Sequence, residues 1–391
     1  MKKMKQFIQK TALLSIIVAT MFACKPDEPI QFSNVTINVE FPNDYIDSKN
    51  DVVIQWENIA NKTSGEVKTN NSGKATVKIE HGNYNFFASK KSEAIYYQGK
   101  IDNYAINSET IEVTIKLSAS KASSTWVIKE VYFTGSKTPA DKNYFKDQYI
   151  EIYNNSDETL YADGLIFCKT YDNTALENNW GQYKEKNEIV PSFIFQVPGS
   201  GKEHPVAPGK SIILADQGLN HKLDTLNPNS PVDMSIADFE WYDDHKLDID
   251  VPEVPNLIKY YSSSASISML HTRGYEGYYI FQMPVAETQA FLDAHPATTT
   301  MPNGTTKSSY AIPAKYIIDA VQCAEPSGYT STVFPASLDA GYTYCDAAYI
   351  GKCVQRKFEK EENGRAILKD SNNSTNDFTP NATPSPRVIV K

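Results

Sequence analysis

Apolar residues recur at every second position over Val35, Ile37, Val39 and Phe41, the spacing that turns one face of an extended strand into a core. The same alternation returns at Ala75, Val77 and Ile79, at Tyr84, Phe86 and Ala88, and at Ile111, Val113, Ile115 and Leu117. Val52–Trp56 is a further candidate strand. Asn70-Asn71-Ser72-Gly73 and His81-Gly82-Asn83 are the turns between them. Short strands joined by polar turns predict an antiparallel sandwich over residues 33–119. Ser118–Ser124 is small and polar and reads as a linker.

Beyond it, Trp126–Phe133 predicts a strand, and Gln148–Phe167 a strand, a turn and a strand. That turn is Asn154-Asn155-Ser156-Asp157, whose side chains can bond their own backbone. A Pro208-Gly209 turn leads into the apolar run Ser211–Ala215. One helix is expected, with Pro284 at its N-terminus and Val285, Phe291 and Leu292 as its apolar positions. The expected architecture is all-β, two antiparallel sandwiches, the second over 120–391 with a long loop and short-helix insertion at about 217–310.

The N-terminus changes the picture of where such a chain works. Lys2, Lys3, Lys5 and Lys10 precede an uncharged run from Thr11 to Ala23. A permanent span needs about 20 apolar residues, so residues 1–23 read as a cleaved export signal. Residues 24–32, which include Lys25-Pro26-Asp27-Glu28-Pro29, are a polar tether. Removing the four signal lysines takes the formal charge from −9 to −13. Nucleic-acid affinity comes largely from Lys and Arg on phosphates, so this balance excludes that partner class.

Four cysteines follow Cys24, an even count that in an exported chain suggests two disulfides. The local pair is Cys345 with Cys353, leaving Cys168 with Cys323; buried free thiols are the rival reading for that second pair. No CxxC occurs, so a zinc–cysteine site is not indicated.

Several resemblances refine this. Ala23-Cys24 resembles a bacterial lipobox, which implies acylation of Cys24 and anchoring to outer-membrane lipid. The acidic tether is similar to signals that send Bacteroidetes lipoproteins to the cell surface. "HGNYNFFAS" resembles the carboxypeptidase regulatory-like and transthyretin-like sandwiches, where the tyrosine, here Tyr84, packs in the core. "IKEVYFTG", "YIEIYNNSDETLYADGL", "APGKSIILA", "GKCVQRK", "GRAILKDSNNSTNDF" and "TPSPR" resemble the lamin-tail domain, an immunoglobulin-like sandwich. With "ADQGLNH", "ADFEWY" and "IPAKYIIDAVQ", Trp126–Arg387 resembles an uncharacterised family of Bacteroidetes lipoproteins built on that core.

Candidate chemistry is sparse. Asp243, Asp244, His245, Asp248 and Asp250 come nearest to a metal site, but without the glycine turn and bidentate acid of a calcium loop they also read as a solvated acidic loop. His204, His221, His245, His271 and His295 never fall in HxxxH or HxH spacing. His221 is the one to test first, because "GLNH" matches a motif of the resembled family. No GxSxG elbow occurs. Glu130 and Glu151 lie on neighbouring strands and could pair as glycosidase carboxylates do, or serve structure.

Trp241, Tyr242, Tyr260 and Tyr261, with Tyr278 and Tyr279, offer a binding patch on the insertion, suited to a sugar, a peptide or a haem-like ligand; alternating tyrosines also serve as core. The expectation is a non-catalytic surface lipoprotein that binds a ligand or partner without a cofactor, beside a TonB-dependent outer-membrane transporter. A structural or adhesive protein is the first rival, and a metal-assisted exported hydrolase the second.

Overall fold

The computed structural model describes residues 30–93, 95–121, 123 and 125–391. The export signal, Cys24 and the tether up to residue 29 lie outside the described residues.

The first sandwich holds β1 (Phe32–Glu40), β2 (Val53–Asn58), β3 (Ser64–Lys68), β4 (Lys74–Glu80), β5 (Gly82–Ser92), β6 (Ile95–Ile106), β7 (Thr110–Lys116) and β8 (Ser118–Lys121). They form a three-stranded sheet, β4-β1-β7, and a five-stranded one, β3-β2-β5-β6-β8. The alternating residues meet between the sheets: Val35, Ile37, Val39, Ile54, Tyr84, Phe86, Val113 and Ile115 are buried together. Tyr84 is core, as expected, and its hydroxyl donates to the Glu80 carbonyl at 2.9 Å.

Two expectations are corrected here. β1 and β7 pair in parallel, Val35 opposite Ile111, because the chain crosses to the other sheet between them and no tight turn reverses it. The expected linker is partly strand: Ser118–Lys121 extends the five-stranded sheet, Ser118 opposite Gln98.

The second sandwich comprises β9 (Trp126–Tyr132), β10 (Tyr149–Asn154), β11 (Leu165–Thr170), β12 (Pro191–Gln196), β13 (Ser211–Ala215), β14 (Phe239–Glu240), β15 (Ile258–Ser262), β16 (Gly277–Gln282), α1 (Val285–Asp293), β17 (Pro296–Thr300), β18 (Thr306–Tyr310), β19 (Ile317–Gln322), β20 (Cys353–Arg356), β21 (Phe358–Glu362), β22 (Arg365–Leu368) and β23 (Phe378–Ala382). A six-stranded sheet runs β14-β13-β10-β9-β20-β23 and faces a five-stranded sheet, β15-β12-β11-β16-β19. β17–β18 and β21–β22 are separate hairpins.

Every residue of β9, β10, β12 and β13 is buried, which is why these strands read as apolar runs without clean alternation. One face looks into the core between the sheets, and the other is covered by the long connections. Val232 and Met234 cover the six-stranded sheet, and Leu292 of α1 packs with Cys168, Tyr279 and Phe281 on the five-stranded one. Residues 217–310 are therefore not a loop insertion. They supply β16, a central strand between β11 and β19, because Tyr278-Tyr279-Ile280-Phe281 is apolar on both faces and fully buried.

The disulfide pairing is also corrected: Cys168, Cys323, Cys345 and Cys353 are all buried free thiols. Cys168 lies opposite Tyr279, and Tyr279 opposite Ala320, so two strand spacings, about 10 Å, already separate Cys168 from β19. A disulfide needs Cα atoms within about 7 Å. Cys168 packs under α1 while Cys323 packs in the core between the sheets, on the opposite face. Cys345 shares that core, whereas Cys353 packs with Tyr132 and Tyr149 on the outer face of its sheet.

The outward face of β6 joins the two sandwiches through alternate residues. Gln98 Nε2 donates to the Ser371 carbonyl at 2.7 Å and Lys100 Nζ to the Asp339 carbonyl at 3.3 Å. Asp102 accepts from the Tyr329 and Thr332 hydroxyls at 3.0 and 3.2 Å. The two units are held in a defined relation, not strung on a flexible chain.

Candidate ligand-binding site

That docking leaves a cleft of about 520 Å³ beside the interface. One wall is β2, β3 and β5 of the first sandwich; the other is the loops around 328–342 and 373–376 of the second. Cross-strand pairing sets Trp56 opposite Gly65, and the indole lies flat over that glycine. A Cβ at position 65 would stand 2.4 Å from Trp56 Cζ2, so only glycine leaves the ring its place. Trp56 points inward, opposite Phe86 and packed on the first core, whereas Phe87 and Asn85 project from the other face and line the cleft.

On the opposite wall, Tyr329 and Tyr342 stand edge to face, 5.5 Å between centroids and 86° apart. Burial pushes the Tyr329 phenol well above its ordinary range, with the Asp102 carboxylate adding to the effect. Thr375 ties the two loops together: its Oγ1 accepts from the Tyr342 N–H at 3.0 Å and donates to the Tyr342 carbonyl at 2.9 Å. Lys62 bridges the cleft's edge, 3.0 Å from Glu57 and 2.6 Å from the Ser327 carbonyl of the other sandwich.

The cleft thus combines flat rings with amides and hydroxyls, and its nearest acid–base pair is already neutralised. Neither histidine nor cysteine lines it among the described residues. Such a lining offers rings for stacking and amides and hydroxyls for hydrogen bonding.

The residues singled out from the sequence lie elsewhere. Trp241 is fully buried, its Nε1 donating to the Ser268 carbonyl at 3.1 Å, and it packs against Phe167 and Phe193. Tyr242 is half-buried in the acidic loop, and Tyr260 and Tyr261 pack beneath the β17–β18 hairpin and α1, the Tyr261 hydroxyl donating to the Ser308 carbonyl at 2.6 Å. Tyr278 and Tyr279 are core. The structure does not bring these rings together as a ligand-facing patch, because the run that carries them covers a sheet.

His221 is buried, with Nδ1 2.7 Å from the Tyr144 hydroxyl and Nε2 3.0 Å from the Gln217 carbonyl. Burial pushes its imidazole down to about 4. Both nitrogens are engaged, which disqualifies it as a metal ligand. Asp243 is paired with Lys259 at 2.6 Å and accepts from the Ser268 hydroxyl, Asp244 is exposed, and His245 Nδ1 accepts from the Leu247 N–H at 3.2 Å. Asp248 accepts from the Asp243 N–H at 2.9 Å and from Gln217. This is a self-bonded loop, and the side chains do not converge on one point.

Glu130 and Glu151 do face each other across β9 and β10. Lys129 lies 2.7 Å from Glu151 and 3.8 Å from Glu130 in a site shut off from water. The C-terminal segment closes over them, Ser385 N–H donating to Glu130 and Arg387 N–H to Glu151. Burial raises the Glu151 carboxyl against the pull of Lys129. These acids clamp the chain's end and offer no room for a substrate.

Reading the sequence missed Phe87, Tyr329 and Tyr342. The available signal was weak: residues 327–344 are rich in Ser, Thr, Tyr and Gly without period, as a surface loop carrying function would be.

Residues 207–385 match the family model described as Protein of unknown function (DUF4876). It is similar to the solved structure of a DUF4876 family protein from Bacteroides thetaiotaomicron VPI-5482, with 27% sequence identity, a TM-score of 0.63, and coverage of 92% of this chain and 98% of that one. A putative adhesin from Bacteroides ovatus ATCC 8483 aligns at 10% identity over 74% of this chain and 87% of that one. Its TM-score of 0.20 is too low to carry an argument. No curated protein matches.

Proposed function

We propose that this chain is a lipid-anchored cell-surface protein of the outer membrane, which binds a neutral, hydroxyl-rich ligand such as an oligosaccharide in the cleft between its two sandwiches. The observation that carries the reading is the cleft itself: aromatic rings of Phe87, Tyr329 and Tyr342 amid amides and hydroxyls, on walls fixed by the β6 interface. Ligand sites concentrate at such domain junctions. The surface location draws on the signal, Cys24 and the acidic tether, and on the similarity to a Bacteroides protein. The lamin-tail-like and transthyretin-like character of the sandwiches, and an accessory role beside a TonB-dependent transporter, belong to the same reading and draw on the sequence motifs. No helix among the described residues is long and apolar enough to cross a membrane.

Two experiments test this. Cys24→Ala should abolish labelling with a fatty-acid analogue, and continued labelling would refute the anchor. A glycan array probed with the purified protein should give binding that Tyr342→Ala and Phe87→Ala both weaken. Binding unaffected by both, or none to any glycan, would remove the cleft from consideration as a saccharide site.

A further inference from the structure

Away from the cleft, the second sandwich contains a larger and more apolar cavity of about 870 Å³, walled by Trp126, Leu160, Met283, Val285 and Ile318. Asp163 stands at its edge, in the turn that leads into β11. The loop 199–204 folds around its carboxylate: Oδ1 accepts the Gly201 and Glu203 N–H groups at 3.0 and 2.9 Å, and Oδ2 that of His204 at 2.8 Å. Gly199 is required by this approach, since it has a φ of +125° and a Cβ there would lie 2.2 Å from Asp163 Oδ1. The loop thereby delivers the side chains of Glu203 and His204 to Asp163, and one ligand atom from each of the three lies within 4.8 Å of the others.

Each residue has a ligand position to give. A carboxylate offers about four acceptor sites, and backbone N–H groups fill three of those on Asp163. Burial pushes the Asp163 carboxyl up, but the three N–H donors outweigh it and hold the group below the ordinary carboxylate range. Glu203 is exposed; its Oε1 accepts from the Ser200 N–H and hydroxyl at 3.2 and 2.6 Å, which leaves Oε2. The His204 ring stands edge-on to Phe239, 5.0 Å between centroids, and among the described residues no hydrogen bond engages its nitrogens. A fixed carboxylate, an exposed one and an imidazole without a side-chain hydrogen bond are therefore gathered together, the first of them at the cavity's edge.

We propose that Asp163, Glu203 and His204 bind a divalent transition metal of the zinc type. The imidazole decides the class: calcium and magnesium favour all-oxygen sets, whereas zinc accepts mixed nitrogen and carboxylate ligands at about 2.0–2.2 Å. Three protein ligands leave a fourth tetrahedral position, which would take water or a ligand oxygen.

Chelator-stripped protein, equilibrated by dialysis with zinc chloride and separately with cobalt chloride, tests the site. The expected result is one equivalent of zinc and a tetrahedral cobalt spectrum, both lost in His204→Ala and weakened in Glu203→Gln. Glu203 is exposed, so its variant keeps the test valid if His204→Ala fails to fold. No zinc bound to the wild-type chain, or one equivalent retained by both variants, would overturn the assignment.

Discussion

The Asp102 carboxylate of the first sandwich accepts the Tyr329 hydroxyl of the second at 3.0 Å, and the same side chain takes the Thr332 hydroxyl at 3.2 Å. One strand position thus secures a loop that also forms a wall of the cleft. Asp102→Ala should leave both sandwiches folded but remove this pin, costing about 1–3 kcal/mol at the interface because two partners lose their acceptor. Limited proteolysis near residues 118–125 should accelerate, and the radius of gyration by X-ray scattering should grow. An unchanged cleavage rate would mean that Gln98 and Lys100 suffice.

Trp241 shows where reading the sequence succeeded and failed. Its neighbours Glu240, Asp243 and Asp244 make the segment look like solvent-facing loop, yet Glu240 is itself buried, accepting the Gly218 and Val251 N–H groups at 2.8 and 2.7 Å. Buried acids satisfied by distant backbone carry no local pattern. Trp241→Ala should therefore act on stability, by about 3–5 kcal/mol in urea unfolding, and not on ligand affinity. A fully stable variant with lost binding would return Trp241 to the surface.

The two sandwiches were legible because alternation at Val35, Ile37 and Val39 states which face is inside, and because Trp126-Val127-Ile128 and the alternating Ile150 and Ile152 mark β9 and β10 as strands. The cleft was not. Phe87 sits between the core positions Phe86 and Ala88, and Tyr329 and Tyr342 come from a loop with no period. The Asp163 cluster was hidden for the same reason, since its ligands meet only when the 199–204 loop closes on the carboxylate.

The four cysteines beyond Cys24 give a direct chemical test of the packing. Burial raises all four thiols, Cys345 to about 12 and the others well above their ordinary range, so the thiolate that reacts is scarce as well as inaccessible. Folded Cys24→Ser protein should leave a thiol reagent unconsumed, and the same protein in guanidinium without reductant should release four equivalents. Two equivalents or none would mean that disulfides form after all.

Asp147 is fully excluded from solvent, and Oδ2 alone accepts the Tyr132, Ser136 and Ser230 hydroxyls at 3.1, 2.8 and 2.7 Å. Burial pushes its carboxyl up from 3.8 to about 6, the three hydroxyl donors pulling the other way. Between those values the folded chain holds a proton that the unfolded chain has released, so this group's contribution to stability is full below pH 4 and is lost as pH rises through 6. His221 acts in the opposite sense: burial lowers it from 6.5 to about 4, and its contribution is lost as pH falls through that window. Comparing wild type with Asp147→Asn by urea unfolding cancels the histidine. The stability difference should move against the wild type by up to about 1.4 kcal/mol per pH unit between pH 4 and 6, then level off. A difference that stays flat, or that favours the wild type as pH rises, would show that Asp147 is ionised throughout and that its three hydroxyl donors outweigh the cost of burial.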